Sequence, residues 1–342
     1  MPIHRRRPIG GHIVTEFAHA AEAHRRELLI HCYRMLGSLP DAEDAVQETM
    51  LRAWRYRDSL KEGAPLRPWL YRVATNACLD AIGRDQRRTA LAEKAAADGG
   101  PGRPEEVSWL QPIPDALLDP PTPPESTPEA ITLTRETIEI AFLTAIQLLT
   151  PQQRAALILC DVLDWSAKDA ADLLDISVSA VNSVLQRART RLRERLPSRK
   201  EAPAVDGASA AERELVKKYV EAGESADYRA FESLIREDAT FRMPPDPDMT
   251  EGRDAIFKVW REGGFGSEDF GKLHCVVTRA NRQPAIAAYN CRPGESAWQA
   301  LTLEVLRIED GLVTEIVLFS PDVFAAFGLP STLDAVPEKE RN

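Results

Sequence analysis

The 342-residue chain reads as a multidomain protein: two all-α domains, the second built on a helix-turn-helix, followed by an α+β domain with one curved antiparallel sheet. Three observations predict this. Apolar residues recur at helical spacing in two blocks, about 16–90 and 129–197. A stretch with nine prolines, residues 99–128, lies between them. Beyond residue 210, helical patterns give way to four consecutive strand patterns.

Net charge is −10, which at first sight argues against a nucleic-acid partner. The distribution reverses that impression: residues 1–90 hold 15 basic and 11 acidic groups, whereas residues 201–342 hold 16 and 26. The five cysteines, at 32, 78, 160, 275 and 291, are odd in number and share no short spacing, so a reducing compartment is expected and a disulfide framework or metal site is not. No apolar run approaches the ~18 residues that span a bilayer. The opening MPIHRRRPIGG has arginines without an apolar region behind them and reads as a basic tail rather than a signal peptide.

In the first block, Leu28, Leu29, Cys32, Met35 and Leu36 share one helical face, and Gly37 closes the segment. Pro40-Asp41 opens DAEDAVQETMLRAWRY, with Ala42, Ala45, Val46, Thr49 and Ala53 on its buried side. After the loop RDSLKEGAPLRP comes LRPWLYRVATNACLDAIGRDQRR, a helix with aromatic groups near its start and a cationic end. That combination suits melted DNA. Trp69 and Tyr71 offer faces for unstacked bases, at roughly 1–3 kcal/mol per base. Asn76 can bond a base edge, and Arg72, Arg84, Arg87 and Arg88 can follow phosphates. A plain amphipathic helix, with Leu70, Val73, Ala77 and Ile82 facing a core, accounts for the same residues.

Residues 91–128 form a proline-rich linker in which Trp109-Leu110 and Leu117-Leu118 are expected to dock locally. In the second block, Ile138, Phe142, Ile146 and Leu149 repeat at helical spacing, and Thr150-Pro151 supplies a capping hydroxyl and a first-turn proline. Ser166 caps AKDAADLLD, Ile176-Ser177-Val178 forms the turn, and a long helix follows with Val181, Leu185, Ala188 and Leu192 as its buried stripe. Ser179, Asn182, Ser183 and Gln186 occupy its exposed front half, where a recognition helix meets base edges. Arg187, Arg189, Arg191, Arg193 and Arg195 reach for phosphates, which makes binding steeply salt-dependent. A helical hairpin with a solvated arginine face is the competing reading.

A short linker, 198–209, leads to the third block, 210–330. Helical ERELVKKYVEAGE and DYRAFESLIRED precede ATFRMP and the helix GRDAIFKVWREG; the strands KLHCVVTRA, PAIAAYNCR, WQALTLEVLRIED and VTEIVLFS follow. Glu309-Asp310-Gly311 signals a hairpin. Phe241, Met243, Trp260 and Tyr289 are a candidate ligand pocket, although aromatics more often fill a core. His274, Arg279, Asn281, Gln283 and Tyr289 are the polar groups an enzyme of this shape would draw on, while Glu304 and Glu315 read as strand surface.

The two helical blocks resemble the conserved domains of extracytoplasmic-function sigma factors, a branch of the sigma-70 family. DAEDAVQETMLRAW resembles the segment that docks on the polymerase clamp helices, which implies contact through Asp44, Gln47, Glu48 and Trp54. RPWLYRVATNACLD resembles the segment that melts and reads the −10 element, and the loop 57–66 lies where the family holds a flipped base. LTPQQRAALILCDVLDWSAKDAADLLDISVSAVNSVLQRARTRLRERL resembles the −35-reading domain, which gives Ser179, Asn182, Ser183, Gln186, Arg187 and Arg189 that role. The commonest family pattern has basic residues where this chain has Asn182 and Val184. YVEAGESADYRAFESLIREDATFRMPP, TRANRQPAIAAY and LFSPDVFAAFGLP resemble the SnoaL-like cone, whose usual Asn-Gly hairpin is here Asn281-Arg282.

The resemblance implies an alternative sigma factor, not an enzyme, with core RNA polymerase and promoter DNA as partners and an acidic C-terminal domain that contacts and regulates the sigma domains. It implies no cofactor, no metal, no membrane contact and a cytoplasmic location, with a small-molecule ligand left open. The alternatives are a helix-turn-helix regulator that needs no polymerase, and a SnoaL-like enzyme or ligand sensor with a DNA-binding front.

Overall fold

The computed structural model describes residues 10–60, 63–97, 110–118, 138–195, 209–244 and 249–334, and, of these, no side chains for 10–15, 85–97 and 195. Internal packing divides the chain into two units, residues 1–105 with 143–196, and residues 106–142 with 197–342.

The first unit is helical: α1 (Gly10–Glu22), α2 (Arg25–Leu36), α3 (Leu39–Tyr56) and α4 (Leu66–Ala97), then α6 (Ile140–Gln147), α7 (Pro151–Leu157), a π-helical turn (Ile158–Val162), α8 (Ala167–Leu174) and α9 (Val178–Arg195). Its short helix starts are held by side chains. The Ser38 hydroxyl accepts from Asp41 N at 3.4 Å and Ser166 from Asp169 N at 3.1 Å. Thr150 and Gln153 form a reciprocal capping box. Gly37 ends α2 at φ +77°, donating to Tyr33 O at 2.8 Å, a left-handed cap that glycine adopts without strain. Helices α2, α3 and α4 pack around Leu28, Cys32, Met35, Ala42, Val46, Leu70 and Ala74, all buried. The helix-turn-helix has its own core of Leu159, Ala170, Leu173, Val181, Val184 and Leu185, with Asp175 in the left-handed region between α8 and α9.

Arg154 joins the two helical bundles. Its guanidinium donates to the carbonyls of Ile146 (3.0 Å), Gln147 (2.8 Å), Leu149 (3.4 Å) and Met35 (2.5 Å). Three of those carbonyls lie at or beyond the C-terminal end of α6, where a cation meets unsatisfied acceptors.

The second unit opens with the four-residue helix α5 (Asp115–Leu118). It continues with α10 (Ala210–Ser225), α11 (Tyr228–Leu234), β1 (Ile235–Arg242), β2 (Met249–Glu251), α12 (Arg253–Glu262), β3 (Lys272–Ala280), β4 (Gln283–Cys291), β5 (Trp298–Glu309), β6 (Leu312–Phe319), a 3-10 turn (Pro321–Phe327) and β7 (Thr332–Leu333). The strand order is β2-β1-β6-β5-β4-β3, with β7 on β5. The sheet is not wholly antiparallel, as the strand patterns predict: β1 runs parallel to β6. Hairpins force antiparallel neighbours, but β1 is separated from β6 by α12 and four strands, so nothing local fixes its direction. Helices α10, α11 and α12 cover one face around Val216, Phe231, Phe241, Ile256, Phe257 and Ile316. On the other face Tyr289 stacks edge-on against Phe324 at 5.3 Å.

The β3–β4 hairpin departs from its usual chemistry. Asn281 (φ +56°) and Arg282 (φ +63°) both adopt the left-handed region, so the tight turn survives with arginine in the position that favours glycine. The surroundings hold it there. Arg282 N donates to Asp115 Oδ1 at 2.7 Å and its guanidinium to Leu118 O at 3.1 Å. The buried Asn281 side chain accepts from Ile113 N (3.0 Å) and donates to Ile138 O (2.9 Å). Gln283 Oε1 accepts from Ile140 N (2.9 Å), and Arg279 pairs with Asp115 and Glu212. Linker residues Leu110, Ile113 and Leu118 are buried as a result, so the docking expected at Leu110 and Leu117-Leu118 occurs within this unit, while Trp109 lies outside the described residues.

Candidate nucleic-acid interface

Helix α3 buries Ala42, Ala45, Val46, Thr49 and Ala53 as its pattern requires and leaves Asp44, Gln47 and Trp54 exposed. Glu48 is half-buried and accepts from Arg52 Nε at 2.6 Å, while Arg52 reaches Asp80 at 2.7 Å. The helix also exposes Leu51 (61%) and Tyr56 (54%) beside Trp54 (39%), over which Arg57 lies at 4.6 Å. Sequence reasoning passed over Leu51 and Tyr56. Their signal was two large apolar residues off the buried stripe, the kind of contiguous patch that marks a partner surface.

Helix α4 divides the residues assigned to melted DNA. Trp69 is half-buried, edge-on to Phe17 at 6.3 Å, and Asn76 and Arg84 are exposed. Arg87 and Arg88 fall on the helix, but their side chains lie outside the described residues. Tyr71 offers no free face. It is 2% exposed, its hydroxyl donates to Glu27 Oε2 at 3.1 Å, and its ring packs on His31 at 5.0 Å and Trp165 at 5.8 Å. The plain-helix reading therefore holds for this residue: Tyr71 precedes Ala74 and Cys78 on the buried stripe. Arg72 is exposed yet donates to Asp172 O at the end of α8. Burial pulls the neighbouring His31 down to about 3, helped by Arg34.

On α9, Ser179, Asn182, Ser183, Gln186 and Arg187 are all exposed. Ser183 donates back to Ser179 O at 3.0 Å. Arg189 is exposed but held by Asp161 through two bonds, 2.9 and 2.6 Å. Val184, where the resembling family is more often basic, is 7% exposed in the helix-turn-helix core, so that position does not face DNA here.

The C-terminal unit contains a cavity of about 260 Å³ between the sheet and its three helices. Phe241, Met243 and Trp260 line it; Tyr289 does not, because it points to the other face and donates to Pro330 O at 3.0 Å. Strand alternation explains the correction: Ala288, its neighbour, faces the cavity. Glu304 also lines it, in place of the surface role expected from sequence, and accepts from Tyr219 at 3.0 Å. Burial pushes the Glu304 carboxyl up to about 7 against the lowering effect of that bond. Glu315 is likewise internal, 4% exposed and paired with Arg242 and Arg307. Of the polar groups an enzyme would use, Arg279 and Asn281 hold Asp115 and Ile113 of the linker, Asn281 and Gln283 hold Ile138 and Ile140 of the second helical block, and His274 pairs with Glu224 at 3.4 Å.

Models of sigma-70 region 2 and sigma-70 region 4 match residues 20–89 and 139–192, and one of the SnoaL-like domain matches residues 216–316. Over 323 residues the chain is 38% identical to the ECF RNA polymerase sigma factor SigG of Mycobacterium tuberculosis, covering 93% of this chain and 85% of that relative. The chain belongs to the ECF RNA polymerase sigma factors. It is 28% identical over 324 residues to SigJ of the same organism, covering 91% and 93% of the two chains, and 29% identical over 181 residues to SigW of Bacillus subtilis, covering 53% and 88%. The crystal structure of Mycobacterium tuberculosis SigJ shares its fold, with a TM-score of 0.59 and 23% identity over 93% of this chain and 99% of that one. This sigma factor is thus an alternative sigma factor that directs transcription initiation, with a SnoaL-like domain at its C-terminal end, and not an enzyme. Among the described residues no helix is long and apolar enough to cross a membrane.

Proposed function

We propose that this sigma factor binds the clamp helices of core RNA polymerase through the exposed face of α3, with Asp44, Gln47, Glu48 and Trp54 as polar and aromatic contacts and Leu51 and Tyr56 as apolar ones. Trp69, Asn76, Arg84, Arg87 and Arg88 engage the −10 element. Ser179, Asn182, Ser183, Gln186 and Arg187 engage the −35 element, and the chain works in the cytoplasm. Tyr71, Arg72 and Arg189 join these surfaces only after giving up partners within the protein. The functional boundaries are 16–90, 129–197 and 210–330, with linkers at 91–128 and 198–209.

The SnoaL-like domain regulates by gripping the linker between the sigma domains, and its cavity holds a small-molecule ligand. The observation that carries the regulatory reading is the buried Asn281 side chain, bonded to Ile113 in the linker and to Ile138 near the start of the second helical block. Two buried backbone groups satisfied by one amide make that grip costly to break, at ~1–3 kcal/mol per unsatisfied group. The test is promoter-dependent transcription with sigma-free core polymerase, comparing full-length protein with Asn281→Ala and with a version ending near residue 204. Transcripts from the full-length protein support the sigma assignment, and a changed yield in either variant gives the sign of control. Equal yields from all three remove the regulatory role.

A further inference from the structure

The cavity of the SnoaL-like domain is built for one kind of occupant. Its wall is aromatic and aliphatic, with Trp260 edge-on to Phe231 (5.1 Å), Phe241 (6.3 Å) and Phe265 (5.9 Å). Among the described residues no lysine or arginine lines it, and Glu304 is its one carboxyl. Tyr219 satisfies Oε2 of that carboxyl; among the described residues Oε1 has no hydrogen-bond partner. Beside it, the Thr302 residue also lines the space. An apolar wall with a few convergent polar groups is the usual composition of a small-molecule site.

Size and charge narrow the class. An apolar cavity of about 150 Å³ holds benzene, so about 260 Å³ has room for two fused rings. An anion entering here meets no cation and faces Glu304, which leaves its charge desolvated and unpaired. An ammonium ion must be stripped of water and finds a single carboxyl already bonded to a tyrosine. A neutral hydroxyl or carbonyl meets neither penalty, because a carboxyl group accepts a hydrogen bond when ionised and donates one when protonated.

We infer that the cavity binds an uncharged, ring-bearing molecule of about two fused rings, its single hydroxyl or carbonyl directed at the free oxygen of Glu304. The inference rests on the reading of this cavity as a ligand site and not on the regulatory role of the domain. Strand β5 carries both Glu304 and Leu306, whose carbonyl accepts from Gln283 Nε2 at 3.2 Å, and Gln283 also holds Ile140. An occupant that touches Glu304 therefore sits two residues along one strand from the linker grip.

Isothermal titration of the full-length protein with 2-naphthol, 2-naphthoate and 1-naphthylmethylamine tests the inference. The expected result is saturable one-to-one binding of 2-naphthol, with the other two at least tenfold weaker. Ala288→Leu, which fills the cavity from β4, abolishes it, and Glu304→Gln weakens it without lowering the melting temperature. Naphthoate or the amine binding as well as naphthol overturns the ligand class but leaves a ligand site. No saturable binding of any probe overturns both. Naphthol binding that survives in Ala288→Leu places it elsewhere and overturns the inference too.

Discussion

Asn281 and Ile113 exchange hydrogen bonds in both directions: Ile113 N donates to the Asn281 side chain and Asn281 N donates to Ile113 O, each at 3.0 Å. A hairpin turn of the SnoaL-like domain thereby treats a linker residue as if it were a neighbouring strand, and the bridge between Pro114 and Ala280 extends the pairing. Replacing Asn281 by alanine leaves Ile113 N and Ile138 O without their side-chain partner. Hydrogen exchange at the Ile113 amide should accelerate about tenfold or more while amides in α3 keep their rates.

Arg282 occupies a left-handed position at a cost of roughly 1–2 kcal/mol for a side chain other than glycine. Arg282→Gly relieves that cost and removes the guanidinium bond to Leu118 O. The expected outcome is a melting temperature equal to or above that of the parent, together with faster exchange in α5. Asp115→Ala, which takes away an acceptor for both Arg279 and Arg282, loosens α5 with no such compensation.

The Glu304 carboxyl sits at about 7 in the folded protein because burial disfavours its charge, and near 4.5 when unfolded. The folded state therefore holds this proton more tightly. Its contribution to stability is complete below pH 4.5, declines as pH rises to about 7 and is flat beyond, with a span of up to about 3 kcal/mol. Among the described residues, Tyr219 from α10 and Cys275 from β3 are the other titratable groups on the cavity wall. Denaturant unfolding of the parent and of Glu304→Gln across pH 4.5–8 should converge on the acid side and diverge in favour of the variant above pH 7.

His31 gives the opposite slope. Burial, then Arg34, brings it to about 3, and Nε2 bonds Thr75 Oγ1 at 2.9 Å. The unfolded chain takes up this proton near pH 6.5 and the folded chain does not, so stability is complete above pH 6.5 and falls towards pH 3 at no more than about 1.4 kcal/mol per pH unit. Replacing His31 by glutamine should flatten that limb of a pH–stability curve recorded on the helical unit's own signals.

Arg154→Met removes a guanidinium shared by four carbonyls. Isosteric apolar replacement of a buried ion is often harmless, but here the carbonyls stay behind, so a loss of roughly 2–4 kcal/mol is expected. Arg154→Lys recovers part of it, because an ammonium cannot span four acceptors. Thermal melting of the two variants against the parent measures both.

Much of this architecture is legible in the sequence. Thr150, Ser166 and Gly37 act locally, and the strands 272–280 and 283–291 carry their own alternation, so their signals survive without tertiary context. The parallel β1–β6 pair was not legible because no turn links the two strands. Alternation told which residues share a face with Glu304 but not that helices close over that face. Tyr71 misled for the same reason: an aromatic at a helix start is equally suited to a base and to Trp165, and only the packing chooses.

One amide, at Asn281, ties Ile113 of the linker to Ile138 of the second helical block, 25 residues on in sequence. Chain that leaves a knot and returns to it adds nothing to reach. While the knot holds, the reach of the tether joining the sigma domains does not depend on the length of chain between those residues, which fully extended would span roughly 80 Å. Lengthening or trimming residues 119–137 should therefore leave promoter spacing preference untouched in the parent and shift it in Asn281→Ala, the loop itself costing only ~0.6 kcal/mol per doubling.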